Sequence, residues 1–181
     1  MAQTLHPPQT SGNGAPSTPP HARWNFWIIA LDASVWHVGV ALMSPSAILP
    51  FFLRKLGAGD VMIGLMVAVQ QAGWMLPQLF AASLLAHKPR KLPFLLWSCI
   101  IGRAPFLILA GVVWWMSDAW PLAVAIIFYA IFAGFWVSDA LATVPWLEII
   151  WKGIPGRLRG RLFGAIGLFG GIASALVGLF L

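Results

Sequence analysis

The sequence predicts an all-α membrane protein, a bundle of several membrane-spanning helices, and three observations carry that expectation. Of the 181 residues, 60% are hydrophobic and only 9% are charged, with a mean hydropathy of +0.84, whereas about a quarter of residues in soluble domains carry charge. The apolar residues come in runs long enough to cross roughly 30 Å of hydrocarbon at about 1.5 Å per helical residue. Those runs are continuously apolar, not the alternating segments of about ten residues that build a transmembrane β-barrel.

Residues 1–23, MAQTLHPPQTSGNGAPSTPPHAR, are rich in Pro, Gly, Ser and Thr and offer too little apolar surface to offset the entropy of ordering. They are expected to form a disordered tail. The tail lacks the apolar core of a cleaved signal, so we expect it to stay attached.

Five runs follow, near 24–53, 61–86, 92–117, 120–151 and 161–181. The first and fourth exceed the length a bilayer needs, an excess that tilt or kinks at Pro45, Pro50 and Pro145 would absorb. Lys88, Arg90 and Lys91 follow the second run, and Lys152, Arg157, Arg159 and Arg161 follow the fourth. The opposite side is poorer in cations, with Arg54 and Lys55 beside Asp60 after the first run and only Asp118 in the turn SDAWP. By the positive-inside rule the tail and the two basic loops are expected in the cytoplasm. The stretch IPGRLRGRLFG, 154–164, then reads as a cytoplasmic loop opening the fifth span. An odd number of spans puts Leu181 on the outer side, within LVGLFL, and further spans or a partner subunit are expected to complete the bundle.

The formal charge of +6 and the pI near 10.5 do not suggest a nucleic-acid partner, because the basic residues fall between apolar runs and not along one polar face. The single cysteine, Cys99, excludes an internal disulfide framework or thiolate cluster. The four histidines have no paired ligand spacing for metal or haem, and neither a phosphate-binding loop nor a hydrolase motif is present. No cofactor, no metal and no enzymatic activity are expected. Trp24, Trp27, Trp114, Trp115, Trp120 and Trp151 sit at predicted span ends, where interfacial anchoring accounts for them.

Charges inside a bilayer are costly and mark a functional group or a structural pair. Counting from the cytoplasmic ends puts Asp32 at roughly 12 Å, Arg103 at roughly 16 Å and Asp139 at roughly 18 Å of depth. They form the candidate substrate or ion layer: Arg103 neutralises one aspartate and leaves the other to bind a proton or cation. A buried structural ion pair is the competing reading. His37 lies about 140° around the helix from Asp32 and is expected to be packed and hydrogen-bonded instead of joining the layer. Gln71, Trp74 and Gln78 share one face and either line a polar path or bond neighbouring helices. Glu148, at the cytoplasmic end of the fourth run, is expected to pair with Arg90, Lys91 or an arginine of the 157–161 group. Gly160, Gly164, Gly167, Gly171, Ser174 and Gly178 step by three and four, a small-residue face on which another helix can pack closely.

Taken in order, these pieces resemble the N-terminal half of a major facilitator superfamily transporter from about Trp24 to Leu181. The resemblance rests on FFLRKLGAGDVMIGLMVA, whose turn at Leu56, Gly57 and Ala58 leads to Ile63 and Gly64, on LPQLFAA from Leu76, on HKPRK between the second and third runs, and on IPGRLRGRLFG. HKPRK stands where the superfamily carries a glycine, an acidic residue and several basic ones. Here Ala86 and His87 replace the acid, and Ala81, Ala82 or Ser83 the glycine. The resemblance implies a partial fold of about five of twelve helices and alternating access to a midplane site. It also implies transport of a small solute with a coupling proton or cation, and a cytoplasmic gate at Arg90, Lys91 and Glu148. The setting it implies is a plasma or bacterial inner membrane. The alternative is a non-transporting assembly or scaffold subunit.

Overall fold

The computed structural model describes residues 21–44, 48–85 and 91–180. The predicted tail up to Pro20, the proposed kink at Pro45 and the basic residues Lys88 and Arg90 lie outside them. The described residues form six helices and no strand: α1 Ala22–Leu42, α2 Ile48–Lys55, α3 Asp60–Leu85, α4 Leu92–Met116, α5 Pro121–Gly153 and α6 Gly156–Phe180. Helices α1, α4, α5 and α6 are long and apolar enough to cross a membrane. Helix α3, at 26 residues, has the length, but Gln71, Gln78, Trp74 and Pro77 make it less apolar than the others.

Two boundaries differ from the sequence reading. The run 24–53 is two helices, because α1 ends at Leu42 and an eight-residue α2 follows; a residue preceding proline, as Ser44 does, is biased away from the α region. Helix α6 starts at Gly156, so Arg157, Arg159 and Arg161 belong to its first two turns and not to a loop. Proline again sets the break: Ile154, before Pro155, is extended (φ −121°, ψ 123°) and ends α5. The turn after α2 closes on Gly57 at φ 76°, with Ala58 N–H donating to the Leu53 carbonyl and Gly57 N–H to that of Arg54, each at 3.0 Å. This is the left-handed cap that glycine favours.

Helix α5 is the hub, packed along α4 on one side and α3 on the other, while α1 pairs with α6. Each pairing has a glycine at a close approach. A Cβ on Gly102 of α4 would stand 2.8 Å from the Ser138 Cβ of α5, one on Gly73 of α3 would stand 3.0 Å from the Trp136 Cβ, and one on Gly170 of α6 would stand 2.8 Å from the His37 Cγ of α1. Without a bilayer-driven hydrophobic force between helices, such close backbone approach is what holds them together.

The interior divides into two apolar clusters. One gathers Leu49, Leu53, Met66 and Leu109 around Val124, Phe128, Phe132 and Trp136 of α5. Aromatic rings at i, i+4 spacing run through it, Phe128 and Phe132 being stacked 5.7 Å apart and Phe132 and Trp136 edge-on at 6.2 Å. The other joins Ala30 and Ala33 of α1 to Ile150, Ile154, Leu162 and Ile166. Helix α5 threads both clusters, and its segment from Ser138 to Pro145 lies between them. Asp139 falls in that gap.

Candidate functional site

Asp139 is half-buried on α5 and accepts a hydrogen bond from the Trp36 indole Nε1 of α1 at 3.1 Å. Its neighbour Ser138 is buried and donates to the Ser98 carbonyl of α4. Asp139 and Arg103 line one narrow crevice between α4 and α5, together with Ser98, Cys99 and Gly102. The guanidinium attracts the carboxylate across this crevice without a direct ion pair. Arg103 therefore acts on the charge of Asp139 from an exposed position.

Asp32 has a different partner. Its carboxylate, exposed on α1, accepts from the Trp146 indole Nε1 at 3.3 Å, and Trp146 lies seven residues, roughly 10 Å, beyond Asp139 along α5. Depth counted from helix ends does not assign such partners, because it contains no information on how one helix lies against another. The outcome is a reciprocal arrangement, in which α1 offers Asp32 and Trp36, α5 offers Asp139 and Trp146, and each carboxylate takes an N–H from the opposite helix. These two bonds span a seam where α1 and α5 otherwise meet sparsely. Trp36 and Trp146 are the residues that sequence reasoning missed. The available signal was spacing: Trp36 is one turn from Asp32 and Trp146 two turns from Asp139, so each pair shares a helix face.

His37 turns away from Asp32 toward α6. Its ring lies over Gly170, its Nδ1 is 2.7 Å from the Ala33 carbonyl, and Ser174 Oγ donates to its backbone carbonyl at 3.3 Å. Gln71 and Trp74 are exposed on α3, and Gln78 is partly buried with an Nε2 that has no hydrogen-bond partner; the structure does not bring them to Asp139.

At the far end of α5, Glu148 forms ion pairs with Lys91 and, at 2.6 Å, with Lys152 one turn on. Lys91 and Glu148 of the expected gate thus meet, Arg90 lies outside the described residues, and Lys152 joins in place of the arginines. Those arginines divide by helix geometry. Arg159 points back at the end of α5, its Nε 3.1 Å from the Ile154 carbonyl, its NH2 group 2.8 Å from that of Trp151 and its guanidinium 4.5 Å over the Trp151 ring. Asn25 Nδ2 caps the same corner at the Gly153 carbonyl, 3.4 Å away. Arg157 and Arg161, four residues apart on another face, are exposed.

The glycines on the small-residue face of α6 are open, while Ser174 of the same series bonds α1. A Cβ on Gly160, Gly164, Gly167, Gly171 or Gly178 would meet nothing within 4 Å, and the contact with α1 is made instead by Leu162, Ile166 and Gly170, about 120° around the helix. Among the described residues no three His, Cys, Asp or Glu side chains gather to hold a metal. Compared with protein-family models, curated proteins and solved structures, the chain finds no match.

Proposed function

We propose that this chain is part of a secondary membrane transporter that moves a small solute by alternating access, with a bundle of the major facilitator type. The observation that carries the reading is Asp139: a carboxylate between two apolar clusters, bonded by Trp36 of α1 and facing Arg103 of α4. An ionisable group at that depth is expensive, and one that three helices surround is suited to bind a cation or proton and to feel their relative movement. On this reading α3 is a fifth span despite its glutamines, the N-terminus and the basic ends of α4, α5 and α6 face the cytoplasm, and the Lys91–Glu148–Lys152 cluster serves the cytoplasmic gate. The membrane is a plasma or bacterial inner membrane.

The open glycine face of α6 favours a second reading, an assembly or scaffold subunit whose helices hold membrane partners. Flux separates the two. The complete reading frame containing these residues would be reconstituted in phosphatidylethanolamine and phosphatidylglycerol liposomes loaded with a pH dye, then offered sugars, amino acids, organic acids and amines in turn. A transporter gives a solute-dependent flux for one class. Accumulation of no class, with the folded protein in the liposomes, would leave the assembly reading standing.

A further inference from the structure

Asp139 and Arg103 are the charged residues that line the crevice between α4 and α5, and the guanidinium attracts the carboxylate across it. Cys99 is the further titratable side chain on its wall. The other charges of the surrounding helices stand elsewhere. On α1, His37 lies over Gly170 of α6, and Asp32 takes the Trp146 N–H outside the crevice. Asp60 of α3 and Arg157, Arg159 and Arg161 of α6 belong to the first two turns of their helices. Glu148, further along α5, is shared by Lys91 and Lys152.

Ligand number decides which positive charge the crevice takes. One oxygen of Asp139 accepts the Trp36 N–H, and the neighbouring Ser138 hydroxyl donates to the Ser98 carbonyl. A hard metal cation takes about six oxygens or more; here it would find a single acid beside a guanidinium that repels it. A proton needs only the second carboxylate oxygen.

Neutrality decides what accompanies the proton. Ionised Asp139 and Arg103 together carry no net charge. A proton on Asp139 leaves the guanidinium, which does not deprotonate in proteins, with an uncompensated positive charge that is costly at membrane depth. A monoanion beside Arg103 restores the balance. Arg103 is exposed, so a solute can reach it, and its planar fork of donors matches a carboxylate.

We propose that this crevice binds a proton and a monoanionic carboxylate solute together, the proton on Asp139 and the solute's carboxylate on Arg103. The inference rests on the reading of Asp139 as an ion site and names the solute class of that site. The proton comes from the medium on one side and returns to it on the other, so a transport cycle carries no net charge.

The complete reading frame containing these residues, in liposomes loaded with a pH dye, is offered lactate, pyruvate and gluconate, then glucose, alanine and choline, all in sodium-free buffer. At least one of the three acids should enter and acidify the lumen. Arg103→Gln should lower that flux by about tenfold or more. Arg103→Lys, which keeps the charge and loses the planar fork, should raise KM for the acid more than it lowers the maximal rate. Entry of glucose, alanine or choline in place of the acids would overturn the proposal. So would acid entry that leaves the lumen pH unchanged or begins only when sodium is added, or full acid flux in Arg103→Gln. If none of the six solutes moves, the transporter reading fails, and a pH indicator in weakly buffered detergent decides the binding by itself. Adding an acid should then draw protons from the medium onto the parent protein and not onto Asp139→Asn; no uptake by the parent would overturn the proposal.

Discussion

Helices α5 and α6 are equally apolar, yet 39% of the most apolar window of α5 is buried and only 17% of that of α6. The difference lies in side-chain size. Helix α5 carries Phe128, Phe132, Phe135 and Trp136 into contacts with α2, α3 and α4, whereas α6 meets α1 along one narrow line and leaves its glycine stripe uncovered. Hydropathy thus reports that a helix enters a membrane; which of its faces is occupied depends on where large residues meet a glycine.

The largest effects should come from filling the close approaches. Gly102→Ala and Gly170→Ala each place a Cβ within 2.8 Å of a neighbouring side-chain carbon and should cost about 1–3 kcal/mol by overpacking, read as a lowered thermal midpoint in detergent. Unchanged midpoints would mean that α4 and α6 pack differently from this description. A smaller effect is expected at the α5–α6 corner, where Arg159→Gln removes two carbonyl contacts and a ring contact and should cost about 1–2 kcal/mol. Arg157→Gln, two residues away on the exposed side, should change stability by less than about 0.5 kcal/mol, so the pair of variants separates the two faces of one basic cluster. The sign should reverse for Gly167→Ala on the open stripe, which should be neutral or stabilise by up to about 1 kcal/mol through helix propensity. A large loss there would show that a partner covers the stripe in the purified protein.

The comparison also explains what could be read from sequence. The apolar runs locate α3, α4 and α5 within a few residues, because length and hydropathy are local properties. The start of α6 was less legible, since three arginines in five residues resemble a loop, while their spacing sends Arg159 to one side of a helix and Arg157 and Arg161 to another. The evenly stepped glycines stand out in the sequence, but the glycine in contact, Gly170, is outside that series and depends on where His37 falls on α1. Similarly, Asp139 and Arg103 could be placed near one depth from their own helices. The crossed bonds of Asp139 to Trp36 and of Asp32 to Trp146 depend on how α1 lies against α5, which no single segment encodes.

The most direct test of the account is solute flux through Asp139→Asn, measured beside its thermal midpoint. Asparagine keeps the shape and can still accept the Trp36 N–H, so the account predicts a protein folded to within about 1 kcal/mol of the parent whose solute flux or pH coupling is lost. Full flux with unchanged pH response would contradict it and leave Asp139 a structural partner of Arg103.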